Sequence, residues 1–260
     1  SYSMCLPMNT RNGKVDCDTY NIPIYSHDGD KPLFNLWMLD SAWHDKAQDR
    51  CFQAIKPETV EWYKEESARL TAENGGTPVP SLMFAHIPLP EITNLVEKCG
   101  PNDVGAILDS RQGWIRLKDG VRGKIGEYPC VLEETNGLFD AALECGDVKA
   151  VVFGHDHTNC FEGVVDGVNF VQSSCASFRC YGTKSRGVRI FDIDEQTGEY
   201  ETTFHTYNAI CGSSLADELR YIWDADGMLK QKIALIAGVA AGAGLLTFGA
   251  VKGVKKLLKK

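Results

Sequence analysis

The sequence predicts an α/β domain in which strand–helix alternation gives way to an antiparallel meander, followed by an apolar segment near the C-terminus. Three observations carry this. Short continuous apolar runs stand at residues 34–39, 81–85 and 148–153, a length suited to buried strands. Segments with apolar residues spaced by three and four precede the second and third of them. Two hairpin signals follow the last run.

The first thirty residues are turn-rich and polar, so organised structure is expected to begin with Phe34-Asn35-Leu36-Trp37-Met38-Leu39, ending at Asp40. Pro57 and Glu58 open a helix whose Val60, Tyr63, Ser67 and Leu70 share a face, and Gly75-Gly76 closes it. Ser81-Leu82-Met83-Phe84-Ala85 is a second strand; it stops at His86 because Pro88 and Pro90 offer no N–H to a ladder. Residues 100–126 read as a loop-rich stretch, and 138–145 as a short amphipathic helix ending at Gly146. Residues 148–153 form a third buried strand running straight into Gly154-His155-Asp156-His157. Asp166-Gly167 is a two-residue hairpin turn between 163–165 and 168–171, and Gln196-Thr197-Gly198 turns the chain between 188–193 and 200–207. No internal repeat or dinucleotide-binding glycine pattern occurs.

The formal net charge is −8, although five lysines stand among the last nine residues, so the rest is more acidic still. This excludes nucleic acid as an expected partner, since a phosphate backbone is gripped by clustered Lys and Arg. Ten cysteines are spread without a Cys-x-x-Cys pair, which disfavours a zinc ribbon, a thioredoxin motif and structural zinc held through sulfur. They are compatible with disulfides in an oxidising compartment and with buried free thiols in a cytosolic protein.

Three histidines, His86, His155 and His157, lie just after apolar strands, where loops of an α/β sheet converge on one crevice. Gly154 tolerates a tight turn and close backbone approach, and alternation along an extended loop puts His155 and His157 on one side. Imidazole is the commonest metal ligand, so the three are candidate metal ligands. Asp156 either orients one of them through a hydrogen bond or favours the turn. His27, His44 and His205 are isolated and read as structural, as does the turn at Gly29-Asp30. Trp37 and Phe84 lie inside strand runs and are read as core.

These residues resemble the calcineurin-like metallophosphoesterases, and more narrowly their purple-acid-phosphatase-like branch, over about residues 20–207. The likeness rests on Phe-Asn-Leu-Trp-Met-Leu-Asp-Ser at 34–41, Phe-Ala-His-Ile-Pro-Leu-Pro-Glu at 84–91, Asn-Gly-Leu-Phe at 136–139, and residues 148–159 centred on Gly-His-Asp-His. Glu91, Asn136 and Asn159 belong to it without an assigned role. The resemblance implies a four-layered αββα sandwich, His86 and His155 as ligands of a second metal, and His157 as a ligand of a first. It further implies two metal ions (Fe, Zn or Mn) sharing a hydroxide that attacks a phosphorylated small molecule or protein. The family's earlier motifs, Asp-x-His, Gly-Asp and Gly-Asn-His, should precede residue 34 and none is present. The chain therefore reads as the C-terminal portion of the domain, N-terminally incomplete, with the leaving-group histidine expected upstream. A catalytically inactive interaction module is the alternative.

Residues 233–251 contain no charge and are followed by Lys252, Lys255, Lys256, Lys259 and Lys260. Nineteen such residues just span a bilayer core, so a transmembrane helix is expected there, although four glycines make it weakly hydrophobic. The expected organisation is a phosphoesterase portion at 1–210, a juxtamembrane segment at 211–232, the membrane helix at 233–251 and a basic tail at 252–260. The lysines place the tail in the cytoplasm and the domain in the lumen or outside the cell; a tail-anchored protein with a cytosolic domain is the other topology.

Overall fold

A computed structural model of the chain describes residues 19–27, 29, 31–41, 55–177, 180–182, 186–212, 214–216, 233–234 and 236–241. Strands β1 (Tyr20–Tyr25), β2 (Pro32–Leu39), β3 (Ser81–Ala85), β7 (Arg122–Lys124), β8 (Val148–Phe153), β9 (Cys160–Val165) and β10 (Val168–Gln172) form one sheet in the order β1-β2-β3-β8-β10-β9-β7. Its four central strands, β2, β3, β8 and β10, run parallel. Strands β4 (Val96–Lys98), β5 (Ile107–Asp109) and β6 (Gly113–Leu117) make a small antiparallel sheet, and β11 (Gly187–Ile193) pairs with β12 (Tyr200–Thr206).

Helices α1 (Pro57–Glu73) and α2 (Leu138–Cys145) cover one face of the main sheet, where Trp62, Tyr63, Leu70, Leu138 and Phe139 meet Trp37, Met83, Val151 and Phe170. Alternation along the same strands sends Phe34, Leu82, Ala150, Val152 and Val171 to the other face, against Phe191, Ile193 and Tyr200 of the β11–β12 hairpin. Under the helices Asp147 is buried, 3% exposed. It accepts hydrogen bonds from Trp37 Nε1 at 3.2 Å and from the Tyr63 hydroxyl, while Trp37 Nε1 also donates to Ser81 Oγ at 3.0 Å.

The strands at 34–39, 81–85 and 148–153, both helices and both hairpins form where their patterns predict. Asp166 and Gly167 take φ of 48° and 87°, the left-handed pair that a tight hairpin needs. Other expectations are overturned. Among the described residues a strand already stands at Tyr20–Tyr25, ahead of the expected start at Phe34, because Tyr-Asn-Ile-Pro-Ile-Tyr pairs with β2 as an edge strand that tolerates Pro23. The stretch at 100–126 holds β5, β6 and β7, three to five residues each and none fully buried, so no apolar run announces them.

The αββα sandwich does not form. Among the described residues the structure is mostly β, with twelve strands against α1, α2, a short α3 and the helical residues at 215–216, 233–234 and 236–241. The face opposite α1 and α2 is covered by a two-stranded hairpin, and α3 (Tyr207–Cys211) buries no residue and so supplies no fourth layer.

The transmembrane expectation is likewise corrected: no helix among the described residues is long and apolar enough to cross a membrane. Residues 233–234 and 236–241 are helical and exposed; the rest of 233–251 and the basic tail lie outside the described residues. The weak hydrophobicity of a segment with Gly238, Gly242, Gly244 and Gly249 is the physical reason a span is not supported. The membrane as partner, and the single-pass lumenal or extracellular placement with its tail-anchored variant, are likewise not supported among the described residues.

Among the described cysteines, Cys99, Cys145, Cys160, Cys175, Cys180 and Cys211 are free thiols; Cys5, Cys17 and Cys51 lie outside the described residues, as do His44 and Asp30.

Gly123 shows how tightly the far edge of the sheet is built. Its φ is 116°, and a Cβ there would stand 2.2 Å from the Cys160 carbonyl oxygen and 2.6 Å from Phe161 Cα. Gly123→Ala is expected to lose about 2 kcal/mol of unfolding free energy through left-handed strain and this clash. A shift of the urea midpoint at constant slope checks it; an unchanged midpoint would show that β7 detaches freely.

Candidate metal centre

Three neighbouring parallel strands end at one corner of the sheet. β3 runs into His86, β8 into Gly154-His155-Asp156-His157, and β10 into Ser173-Ser174-Cys175. Because β8 lies between β3 and β10, the residues after their C-terminal ends are neighbours in space whatever their distance in sequence.

His86 and His155 meet with ring centroids 5.3 Å apart, edge to face. Gly154 makes this possible: its N–H donates to the His86 carbonyl at 3.1 Å, and a Cβ would press on His86 Nδ1 at 3.3 Å. Its own carbonyl accepts a bond from the buried Gln172 side chain. Ser41, beyond β2, fixes the other side of the turn by accepting the Ile87 N–H at 2.9 Å. His155 has a φ of 64°, a left-handed conformation that turns its ring out of the strand direction toward His86. Burial holds both rings below the ordinary histidine value, helped at His86 by the charge of His157 and at His155 by those of His86 and His157, which favours neutral rings that keep a lone pair for a cation.

His157 is turned differently. Its ring stacks on Tyr181 at 4.3 Å, and its Nδ1 lies 3.0 Å from the Tyr181 carbonyl. A carbonyl only accepts, so Nδ1 carries the proton and Nε2 the lone pair. It stays near enough to His86 and His155 to act on their charge. One ligand atom each of His157, Cys175 and Cys180 lie within 4.8 Å of one another, the one such group of three or more His, Cys, Asp or Glu among the described residues. Burial pushes the Cys175 thiol up to about 11, with the Arg186 cation pulling the other way.

Asp156 points away from the imidazoles. It is 1% exposed, accepts the Cys130 N–H at 3.2 Å and is pushed up to about 7 by burial. Its contact braces the loop that carries the histidines. Asn159, fully buried, accepts the N–H groups of Gly126 and Glu127 at 2.9 and 3.1 Å. Glu127 in turn accepts from the Thr158 N–H and hydroxyl at 3.0 and 2.8 Å and from the Tyr181 hydroxyl at 2.9 Å. Glu127, Tyr181 and the cysteine pair thus surround His157 although no local pattern marks them; the signal was their position after β7 and β10, beside the histidine loop. Asn136 takes φ of 50° and donates to the Ile55 carbonyl at 2.6 Å, a structural contact ahead of α2.

The donor chemistry fits a transition-metal or zinc ion: neutral imidazoles from adjacent strand ends, a carboxylate at Glu127 acting on His155, and two sulfurs beside the third imidazole.

No family model matches the chain. Curated proteins of Arabidopsis thaliana do. The chain is 28% identical over 188 residues to "Probable inactive purple acid phosphatase 29", covering 67% of this chain and 43% of that protein. It is 27% identical over 174 residues to "Probable inactive purple acid phosphatase 14" (64% and 38%) and 24% identical over 195 to "Probable inactive purple acid phosphatase 28" (71% and 43%). The chain thus spans about two fifths of the length of the curated relatives it matches. Its likeness to three such proteins, together with strand-end histidines in the Gly-His-Asp-His pattern, makes the chain similar to purple-acid-phosphatase-like proteins.

Proposed function

We propose that this chain carries the metal-holding corner of a phosphoester hydrolase, acting on a phosphorylated small molecule or protein. The observation that carries the reading is the meeting of His86 and His155 as neutral rings 5.3 Å apart at the ends of adjacent parallel strands. His86 and His155 would hold one metal ion and His157 a neighbouring one, iron, zinc or manganese being suited to imidazole. Bound there, metal ions supply the Lewis acid that neutralises phosphate oxygens and an activated water to attack phosphorus. The chain's own residues do the positioning. Gly154 lets the His86 ring close in, the left-handed turn at His155 aims its ring, and Asp156 and Asn159 hold the loop that bears them.

A second reading, a phosphoesterase-like interaction module without turnover, is favoured by one feature: His157 is turned toward Tyr181 rather than into the His86–His155 pair. The curated relatives, named probable inactive, lean the same way. Hydrolysis of p-nitrophenyl phosphate by the full-length protein, with manganese, zinc or iron supplied in turn, separates the two. Turnover that a chelator abolishes and metal restores is expected. Absence of both turnover and bound metal would establish the interaction module instead.

A further inference from the structure

His157, Cys175 and Cys180 form a trio that the His86–His155 pair does not need. Cys175 is held beside the histidine loop by its own backbone, its N–H donating to the His157 carbonyl at 3.4 Å and its carbonyl accepting from Gly187 N–H at 3.2 Å. Cys180 returns to the same place after four intervening residues. We propose that His157, Cys175 and Cys180 bind a single thiophilic divalent cation, zinc foremost.

Three features argue for a ligand cage over a chance cluster. First, the imidazole is prepared: the Tyr181 carbonyl fixes the proton on Nδ1 and the ring stacks on the Tyr181 side chain, so Nε2 presents its lone pair in a fixed direction. Second, the ligand atoms are already gathered. Tetrahedral zinc, with bonds of about 2.3 Å to sulfur and about 2.0 Å to nitrogen, holds its donors roughly 3.5 Å apart. A separation of at most 4.8 Å closes to that by movements on the order of 1 Å. Third, the charge is matched. Arg186 is 1% exposed; its guanidinium donates to Cys175 Sγ at 3.0 Å, to the Cys180 carbonyl at 2.8 Å and to the Ser177 carbonyl, and it lies 3.8 Å from Cys180 Sγ. The buried guanidinium pulls against the burial that keeps Cys175 protonated, and once a cation has displaced the protons, two thiolates with a neutral imidazole leave a divalent ion formally uncharged, so the arginine meets no opposing cation. Gly182 completes the fit, since a Cβ there would stand 2.8 Å from Cys175 Sγ.

Binding breaks two S–H bonds, forms two metal–sulfur bonds and one metal–nitrogen bond, and releases two protons to solvent. Three protein ligands leave a fourth position, the arrangement of an accessible rather than a sealed zinc site. The trio contains neither His86 nor His155 but shares His157 with the proposed phosphoester centre, so its cation would take the place of the neighbouring ion there, and the two sulfurs are what distinguish the two readings in the test.

The test is a cobalt(II) titration of the whole chain, purified reduced and stripped of metal. Cobalt is expected to give tetrahedral d–d absorption and a near-ultraviolet thiolate-to-cobalt charge-transfer band that saturates at one equivalent and is displaced by zinc. Cys175→Ser and Cys180→Ser should each remove the band, and His86→Ala should leave it in place. Should the serine variants fail to fold, zinc protection of the wild-type chain decides: alkylation of Cys175 and Cys180 should slow by roughly tenfold or more on adding zinc while the exposed Cys211 is unaffected. Cobalt bound without the thiolate band, a band surviving both serine substitutions, no zinc protection, or a Cys175–Cys180 disulfide in place of metal uptake would each overturn the proposal.

Discussion

Asp147→Ala is expected to cost about 3 kcal/mol of unfolding free energy, a large part of the roughly 5–15 kcal/mol that holds a domain folded. The carboxylate sits under α1 and α2 and accepts from the Tyr63 hydroxyl and from Trp37 Nε1 at 3.2 Å. Trp37 and Tyr63 are fully buried and pack edge to face, with centroids 4.9 Å apart, so neither donor can turn to water when its acceptor goes. Each stranded donor costs about 1–3 kcal/mol, offset in part for Trp37 by its second bond to Ser81. Asp147→Asn keeps one carbonyl acceptor and should cost about 1 kcal/mol. Tyr63→Phe combined with Asp147→Ala should cost less than the two changes summed, because Tyr63→Phe removes the donor that Asp147→Ala orphans.

The same carboxyl makes stability depend on pH. Burial raises its folded-state value above the ordinary carboxylate value of the unfolded chain, against the pull of hydrogen bonds from Tyr63, its own backbone, Trp37 and Ser67. Folding therefore favours the protonated form. Its contribution is complete below the unfolded value, declines as pH rises through the folded one, and is flat above. Chemical denaturation as a function of pH should show this decline in the wild type and its disappearance in Asp147→Asn.

Much of this architecture was legible because it is written in local patterns. Gly75-Gly76 and Gly146 end α1 and α2, prolines end β3, and Asp166-Gly167 makes a hairpin, each by backbone conformation alone. β1 was hidden by Pro23 and by its position at a sheet edge, where of its six residues only Asn21 is buried; β4, β5 and β6 are too short and too exposed for periodicity to register. The layers that did not form had no local pattern behind them and came from the family likeness alone. At the site, strand-end placement was enough to expect His86 and His155 in one crevice. The direction of the His157 ring was not legible, because it depends on Tyr181 and Glu127, 24 and 30 positions away. The sulfur pair escaped for a related reason: the usual zinc signature is two intervening residues, and Cys175 and Cys180 are separated by four, close only because the segment after β10 folds back on itself.

His155→Ala in the full-length protein is expected to weaken metal binding by on the order of 100-fold and to abolish metal-dependent hydrolysis, with the fold retained. The position has a complication that also supplies its control. With φ at 64°, alanine sits in a left-handed conformation that histidine tolerates better, so this variant carries about 1 kcal/mol of backbone strain besides losing the ring. His155→Gly loses the same ring while relieving the strain, and should be up to about 1 kcal/mol more stable than the alanine variant. The two substitutions thus differ in stability while losing the same ligand. Equal loss of metal affinity in both, measured by calorimetric titration beside their thermal midpoints, assigns the effect to the imidazole. Affinity that tracks stability instead would make His155 a turn residue and leave His86 without its partner. His86→Ala, on ordinary strand-end backbone 5.3 Å away, should reproduce the affinity loss without moving the backbone term at all.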